Sequence, residues 1–261
     1  MTEDIGAAPL ALAETLADAA GAIIRRHFRR TLAVDEKADL TPVTVADRDA
    51  EAAMRALIEK CFPAHGIIGE EHGKLRADAE YVWVLDPIDG TKSFISGIPL
   101  FGTLIALTRG GRPVLGVIDQ PILHERWVGV EGRSTLLNGA PVRCRPCPAL
   151  GDATLFSTAP ELMFKGADAA GFARLAAAAK LVRAGADCYA YAQLASGFID
   201  LVVEAQLKPY DYCALAPVIA GAGGVITDWR GRPLDLGSDG RVVAAGDPLL
   251  AEPARRLLAG G

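Results

Sequence analysis

The chain has 261 residues, of which 51% are hydrophobic and 23% charged, a balance typical of folded globular proteins. Its 27 Lys and Arg residues against 32 Asp and Glu residues give a net charge of −5, which argues against general binding to nucleic acids or acidic lipids. The longest uncharged runs, 93–108 and 213–227, fall short of the ~20 apolar residues that span a bilayer. An acidic N-terminus is unlike a signal peptide, so we expect a cytoplasmic protein.

Two helices and a series of short strands are predicted in the first half of the chain. Apolar residues recur every three or four positions over residues 8–30 and again over 45–61, which is the helical period. The polar segment 37–42 between them contains Pro and predicts an ordered loop. Strand-like runs separated by turn residues, as in an antiparallel sheet, then follow at 66–69, 81–85, 102–107, 113–119 and 126–130.

The pattern changes after a Pro-Cys-Pro segment at 146–148. Helices are predicted at 167–180, 189–197 and 211–222, and strands around Val182, at 200–204 and at 224–228. Because helix and strand alternate here, whereas a meander of strands precedes, we expect an α+β protein of two layered subdomains. We place these subdomains at residues 1–146 and 147–261.

The five cysteines do not suggest a disulfide framework, because their number is odd and the chain is of enzyme size. Cys144 and Cys147 form a lone CxxC motif. A structural zinc site usually needs four ligands, and no second pair accompanies this one in the sequence. We therefore interpret both cysteines as structural or incidental.

The strongest chemical signal is the sequence Trp-Val-Leu-Asp-Pro-Ile-Asp-Gly-Thr at residues 83–91. A strand leads to Asp86, and Asp89 follows around a turn that Pro87 and Gly90 favour. Two converging carboxylates are costly without a cation, and oxygen ligands suit Mg²⁺. Backbone N–H groups from Gly90 onwards can hold a phosphate where a helix begins. The alternative is a plain surface turn.

Two further acidic residues lie at suitable places. Glu70 belongs to a Gly-Glu-Glu segment that follows a short apolar run, and Asp211 follows Lys-Pro-Tyr and precedes a predicted helix. Taken alone, Asp211 would be interpreted as a helix N-cap. Acidic residues next to the ends of three strands are, however, what a multi-metal site built from distant segments requires.

Taken in order, these motifs resemble those of the inositol monophosphatase-like superfamily. The resemblance rests on Gly-Glu-Glu at 69–71, Asp-Pro-Ile-Asp-Gly-Thr at 86–91, and an aromatic residue before Asp211 with Gly-Ala-Gly-Gly at 221–224. It extends from about Ala11 to the C-terminus. It implies a layered α/β/α/β/α sandwich, with N-terminal helices and an antiparallel sheet followed by a C-terminal α/β subdomain. It also implies a homodimer with two or three Mg²⁺ ions per active site.

Within this superfamily the chain resembles the histidinol-phosphate phosphatase branch. The similarity lies in segments 86–107, 186–191 and 207–212. Asp-Cys-Tyr at 187–189 stands where inositol enzymes typically have a Ser/Ala-rich sugar-binding segment, and Tyr210 stands where they usually have Trp. The implied reaction is hydrolysis of L-histidinol phosphate to L-histidinol and phosphate in histidine biosynthesis, by attack of a metal-activated water.

The resemblance also implies the metal ligands. Glu70 and Asp86, with the backbone carbonyl of Ile88, would hold the first Mg²⁺. Asp86, Asp89 and Asp211 would hold the second. All of these ligands are oxygen atoms, as Mg²⁺ prefers.

Catalytic roles follow from the same resemblance. Glu70 and Thr91 would orient the nucleophilic water, and Asp47 would orient the Thr91 hydroxyl. Lys37 and Asp39 would lie in a loop that closes over the site. No covalent enzyme intermediate is required.

Recognition of the substrate is expected to involve five residues. Gly90 and Thr91 would bind the phosphate. Glu204 precedes Asp211 at the spacing at which inositol enzymes place a hydroxyl-binding Glu, and Asp187 is a second carboxylate for the ammonium and imidazole of histidinol phosphate. Arg183 would pair with one of these carboxylates or with the phosphate. Each of the two acids could instead be a solvated loop residue.

Three alternatives remain at this point. An enzyme of the same fold could act on an inositol phosphate, a sugar bisphosphate or a 3′-phosphoadenosine nucleotide. A nucleotide-binding oxidoreductase could use the glycines at 221–224, although their order after a helix and before a strand is the reverse of the dinucleotide fingerprint. A non-catalytic metal-binding protein would lack a metal carboxylate, and none of the expected ones is missing. His65 and His72 flank the Glu70 segment and are expected to be exposed.

Overall fold

The computed structural model describes residues 5–30, 34–36 and 42–260, and two main sheets in this part of the chain separate three layers of helices. The helices are α1 (Ala7–His27), α2 (Val45–Cys61), α3 (Thr91–Ile95), α4 (Pro160–Met163), α5 (Gly166–Ala178), α6 (Asp187–Ala195), α7 (Pro209–Tyr212), α8 (Leu215–Gly221) and α9 (Pro248–Ala259).

The strands of the first half are β1 (Val34–Glu36), β2 (Pro42–Thr44), β3 (Gly66–Gly69), β4 (Gly73–Leu75), β5 (Tyr81–Asp89), β6 (Gly102–Arg109), β7 (Arg112–Gln120), β8 (Glu125–Val130), β9 (Leu136–Leu137) and β10 (Ala140–Pro141). Those of the second half are β11 (Thr154–Ser157), β12 (Leu181–Ala184), β13 (Leu201–Glu204), β14 (Val225–Asp228) and β15 (Val242–Ala245).

The larger sheet has eight strands in the order β10-β9-β8-β7-β6-β5-β3-β4. The predicted antiparallel pairing is confirmed for most neighbours, but β3 and β5 run parallel, with Gly69 opposite Leu85. Parallel strands end at the same edge of a sheet. The residues that follow these two positions, Glu70 and Asp86, therefore lie side by side.

The second sheet has five strands in the order β12-β11-β13-β15-β14. Helices α1 and α2 cover the outer face of the larger sheet, α6 and α8 lie between the two sheets, and α5 and α9 cover the outer face of the smaller one. Each of the three helix layers has its own cluster of buried apolar side chains. The α/β/α/β/α sandwich that the resemblance implies is confirmed.

The middle layer joins the two halves of the chain. Its apolar cluster contains Trp127 of β8 and Val202 of β13 together with side chains of α6 and α8. The predicted division at residue 146 falls in the connection between β10 and β11, and it stays a prediction. Both halves nevertheless share this core.

Helix α1 ends three residues earlier than the apolar periodicity predicts. Phe28 leaves the helix with ψ of 130°, and Arg29 has a left-handed φ of 57°. Phe28 packs against Phe94 and Phe101, with ring centroids 5.7 and 5.5 Å apart, and this packing accounts for the turn out of the helix. By length and composition α1 could cross a membrane, but its apolar face is buried in the core, as expected for an internal helix.

Helix α2 begins at a capping box and carries two acids on its buried face. The Thr44 side chain accepts the Ala46 N–H, and the Asp47 carboxylate accepts the Thr44 N–H, so two backbone donors at the start of the helix are satisfied. Asp47 and Glu51 are both buried, although they share the helix with a core-facing apolar stripe. Buried acids on such a stripe need specific partners.

A buried carboxylate forms hydrogen bonds with the segment that connects the two sheets. Asp200 accepts hydrogen bonds from the Arg145 guanidinium at 2.7 and 2.5 Å and from the Thr154 N–H at 2.8 Å. It is 1% exposed. It thereby ties the start of β11 and the segment before it to β13.

We predict that Asp200→Asn destabilises the fold. The substitution replaces charge-assisted hydrogen bonds by weaker neutral ones, which should lower the free energy of unfolding by about 2 kcal/mol. Urea denaturation followed by circular dichroism measures the change. The exposed Asp152 offers a control, since Asp152→Asn should change stability by less than about 0.5 kcal/mol. Equal stability of the two variants would contradict the prediction.

Candidate active site

An irregularity in β5 brings two carboxylates to the same side of the sheet. Asp86 pairs with Leu104 of β6 and Asp89 with Gly102, so β5 advances three residues where β6 advances two. In a regular strand residues three apart point to opposite faces. The extra residue cancels this alternation. Pro87, which cannot donate to the neighbouring strand, lies within the irregular stretch.

Asp211 of α7 completes a cluster with these two acids. One carboxylate oxygen from each of Asp86, Asp89 and Asp211 lies within 4.8 Å of the others. Burial first, and then the neighbouring carboxylates, raise the pKa of Asp86 and Asp89 well above the usual range, and burial raises the pKa of Asp211 to about 7. The repulsion between these neighbouring carboxylates is relieved when a cation binds among them. The all-oxygen, negatively charged donor set fits a hard divalent ion.

Glu70 and Ile88 lie beside this cluster. The Glu70 N–H donates to the Leu85 carbonyl at 3.2 Å, and its carboxylate is close enough to raise the pKa of Asp86. Ile88 donates its N–H to Asp86 Oδ1 at 3.0 Å. The structure thus brings together all of the predicted metal ligands, which line one open cleft of about 550 Å³.

Thr91 and Asp47 also meet at this place. Thr91 begins α3, and its Oγ1 lies 3.1 Å from the Ile88 carbonyl and 3.4 Å from Asp47 Oδ1. The other oxygen of Asp47 accepts the N–H and the hydroxyl of Thr44. Asp47 is therefore held by the start of α2, and burial raises the pKa of its carboxyl group.

The first turn of α6 contacts the motif from the other half of the chain. The Cys188 N–H donates to Asp89 Oδ2 at 2.6 Å. Gly90 has a φ of 93°, and a Cβ there would lie 2.9 Å from Asp187 Oδ2, so this position requires glycine for both reasons. Ser93 donates to the same Asp187 oxygen at 3.2 Å. Burial raises the pKa of Asp187 to about 6.

Glu204 lies deeper in the same cleft, at the end of β13. It is 3% exposed, and burial raises its pKa to about 7. Its Oε1 accepts the N–H and the hydroxyl of Thr158, and its Oε2 accepts the Tyr191 hydroxyl at 2.9 Å. Glu204 and Asp187 both line the cleft outside the metal cluster.

Other predicted residues lie elsewhere. Arg183 is on the exposed strand β12, with its guanidinium 5.9 Å from the centroid of the Phe156 ring, and does not line the cleft. Lys37 and Asp39 lie outside the described residues. The expected exposure of His65 is wrong, because its ring stacks between aromatic neighbours and burial lowers its pKa. His72 is exposed as expected.

Several residues that hold the side chains or loops of the site are not among the predicted ones. Thr158 and Tyr191 hold Glu204, and Glu51 accepts the N–H groups of the two residues after Glu70. The spacing of Glu51, one helical turn after Asp47 on the same face of α2, is the sequence signal that could have identified it. No comparable spacing links Thr158 or Tyr191 to Glu204.

Comparison with known proteins agrees with this geometry. A sequence model of the inositol monophosphatase family matches residues 8–259. The bifunctional phosphatase IMPL2 of Arabidopsis thaliana, a chloroplastic protein, is 52% identical over 257 residues, which cover 95% of this chain and 74% of that protein. A histidinol-phosphatase of Chlorobaculum parvum is 38% identical, over 90% of this chain and 91% of that protein.

A solved structure is similarly close. An inositol monophosphatase from Zymomonas mobilis is 50% identical, superposes with a TM-score of 0.88, and covers 96% of this chain and 97% of its own. The match over nearly the whole chain includes every segment that contributes to the carboxylate cluster. The chain is therefore a phosphatase of the inositol monophosphatase family.

Proposed function

We propose that the protein is a Mg²⁺-dependent histidinol-phosphatase, which hydrolyses L-histidinol phosphate to L-histidinol and phosphate in histidine biosynthesis. The observation that carries the proposal is the pair of carboxylates, Asp187 and Glu204, in the cleft beyond the metal cluster. The substrate has an ammonium group and an imidazole away from its phosphate, and both are partners for carboxylates. The 38% identity to a histidinol-phosphatase, in an alignment that covers 90% of this chain, supports the same choice.

The metal ligands follow from the carboxylate cluster. Glu70 and Asp86, with the Ile88 carbonyl, would hold one Mg²⁺. Asp86, Asp89 and Asp211 would hold a second, and the resemblance to the family allows a third ion in the same site. Bound Mg²⁺ supplies charge compensation for the phosphoryl oxygens and lowers the pKa of the attacking water. The lining of the cleft provides oxygen ligands from both halves of the chain.

The remaining residues orient the reactants. Thr91 and Glu70 accept hydrogen bonds from the attacking water, and Asp47 fixes the Thr91 hydroxyl. The Thr91 hydroxyl has a single proton, and it lies near two acceptors, the Ile88 carbonyl and Asp47. Once this proton is donated to either, the oxygen lone pairs are available to the water. The N–H groups of the first turn of α3, next to Gly90, are unused within the helix and suit the phosphate.

Glu204 retains capacity for a substrate. A carboxylate accepts about four hydrogen bonds, and Thr158 and Tyr191 supply three of them. The remaining lone pair on Oε2 can accept from the ammonium or imidazole. Because Glu204 is already held on both oxygens, little side-chain entropy is lost when it binds.

An inositol phosphate is the second candidate substrate. The supporting observation is the 50% identity to the Zymomonas mobilis protein, which is described as an inositol monophosphatase. Steady-state phosphate release from L-histidinol phosphate and from inositol 1-phosphate distinguishes the two. We further propose that the enzyme acts in the cytoplasm as a homodimer.

We predict that Asp86→Asn reduces turnover by more than tenfold, which corresponds to over ~1.4 kcal/mol in the barrier. Asp86 would contact both metals, so neutralising it weakens both sites. Phosphate release at increasing Mg²⁺, before and after chelation, measures the effect. Asp78→Asn, at an exposed aspartate, should behave like the wild type. A folded Asp86→Asn enzyme with more than a tenth of the rate, or a chelated wild type with full activity, would contradict the metal assignment.

Thr91→Ala tests the orientation of the water. Loss of the hydroxyl should lower kcat by ~10²-fold or more, the lower end of the range for groups that assist proton transfer. The Mg²⁺ concentration for half-maximal rate should change little. Thr91→Ser retains the hydroxyl and should recover most of the rate. Loss of Mg²⁺ affinity with a normal kcat at saturating Mg²⁺ would instead assign Thr91 to the metals.

Glu204→Gln tests substrate recognition. A charge-assisted hydrogen bond contributes about 1.5–3 kcal/mol, so kcat/KM for L-histidinol phosphate should fall roughly ten- to hundredfold. Hydrolysis of p-nitrophenyl phosphate, which has no ammonium, should fall far less. Glu161→Gln, at an exposed acid of the same cleft, should show no such bias because solvent screens its charge. Equal losses on both esters would assign Glu204 to the fold or the metal site.

A further inference from the structure

Glu51 of α2 is a buried carboxylate that binds two backbone N–H groups of one loop and an arginine of its own helix. It is 0% exposed. Its Oε2 accepts the Glu71 N–H at 2.7 Å, and its Oε1 accepts the His72 N–H at 3.1 Å and the Arg55 guanidinium at 3.1 Å. Arg55 in turn donates to the Gly73 carbonyl at 3.0 Å. The side chain of Glu51 therefore binds the backbone directly after Glu70.

The residue before Glu70 also depends on Glu51. A Cβ at Gly69 would lie 1.9 Å from Glu51 Oε1, and the three nearest atoms to it all belong to Glu51. Only a residue without a side chain leaves room for the carboxylate. Glu70 itself is held by its N–H, which donates to the Leu85 carbonyl at 3.2 Å. The backbone is thus hydrogen-bonded at Glu70 and at the two residues after it, and the Glu51 carboxylate packs against the residue before it.

Burying the charged carboxylate of Glu51 costs free energy, and stability of the fold alone does not explain why a charged residue is present there. Burial of a carboxylate is offset only by good hydrogen bonds and an opposite charge, and an apolar replacement of such a pair often leaves a protein equally stable. An apolar side chain at position 51 could fill the space, but it could not accept two successive N–H groups. The arrangement therefore favours a role in orienting the loop.

Glu51 and Asp47 form a matched pair on one helix. They are four residues apart on the buried face of α2, where such side chains are neighbours. Asp47 lies 3.4 Å from the Thr91 hydroxyl, and Glu51 holds the loop of Glu70. One turn of a rigid helix thereby sets the spacing between the two groups that orient the attacking water.

We propose that Glu51 is a positioning residue, which directs the Glu70 carboxylate toward the water and the metal by binding the peptide groups of Glu71 and His72. The inference rests on the proposed role of Glu70 in the reaction. Glu51 is not among the residues that line the cleft, so its effect on the reaction would pass through the orientation of Glu70. That effect should appear in kcat and in Mg²⁺ affinity more than in KM.

Glu51→Gln is the direct test. The amide retains one acceptor oxygen, so it cannot accept both N–H groups and also pair with Arg55. We expect kcat to fall at least tenfold at saturating Mg²⁺, with KM changed less than threefold and with weaker Mg²⁺ binding by calorimetry. Hydrogen exchange of the peptide covering residues 66–75 in the metal-free protein should become faster.

Asp200→Asn provides the matched control for a merely structural role. Asp200 is another buried carboxylate that accepts a backbone N–H and an arginine, but it is not part of the cleft lining. It should lower stability while leaving kcat, Mg²⁺ affinity and exchange over residues 66–75 unchanged. If Glu51→Gln behaves like Asp200→Asn in all of these measurements, the inference is wrong.

Gly69→Ala reaches the same interaction from the other side and remains informative if Glu51→Gln does not fold. Its methyl group must displace the Glu51 carboxylate, so it should reproduce the loss in kcat and the faster exchange. In Glu51→Ala/Gly69→Ala the clash is absent, and the double variant should be no worse than Glu51→Ala alone. Losses that multiply would show independent effects and would overturn the inference.

Glu70→Gln separates failure of the inference from failure of the proposed function. If Glu70→Gln keeps wild-type kcat and Mg²⁺ affinity, the proposed role of Glu70 is wrong, and the inference about Glu51 is wrong with it. If Glu70→Gln is impaired while Glu51→Gln is not, the inference about Glu51 alone is wrong. Impairment of both, with Asp200→Asn unaffected, supports both.

Discussion

Mutual repulsion among closely spaced carboxylates is the constraint on which this structure depends. One carboxylate oxygen from each of Asp86, Asp89 and Asp211 lies within 4.8 Å of the others, yet no two of these residues belong to the same regular element, since the irregularity in β5 separates the first two. Like charges at this spacing oppose folding until a cation or protons compensate them. The cluster can therefore exist only because the rest of the molecule, including the shared middle core, holds its three segments in place.

The sequence predicted the parts of the site that are local. The Asp-Pro-Ile-Asp-Gly-Thr segment is contiguous, and both the turn and the carboxylates can be recognised from residue chemistry. Helix α2 was predicted with its observed bounds because its apolar period is regular. The layer order was available only through the resemblance, because the packing of one sheet on another depends on contacts between residues far apart in the chain.

The features that differ from the sequence-based predictions, or that were not predicted, also have physical reasons. Helix α1 ends early because Phe28 packs on two rings from around the Asp86 motif, which no local pattern contains. Helix α9 was not predicted, although Asp247 caps it and Gly260 ends it, since Pro253 interrupts the helical pattern in its interior. Arg183 lies outside the cleft because the direction of a strand side chain depends on register.

Two glycines allow carboxylates from distant parts of the chain to pack against the backbone of the acidic motifs. At Gly69 the space of a missing side chain is occupied by Glu51, and at Gly90 a side chain would meet Asp187. In both places an acid from a helix approaches the backbone of a motif more closely than any residue with a Cβ permits. In this protein the glycine before Glu70 and the glycine after Asp89 each lie where a carboxylate remote in sequence packs against the motif. The glycine is visible in the sequence, whereas the identity of the acid that packs against it is decided by the fold.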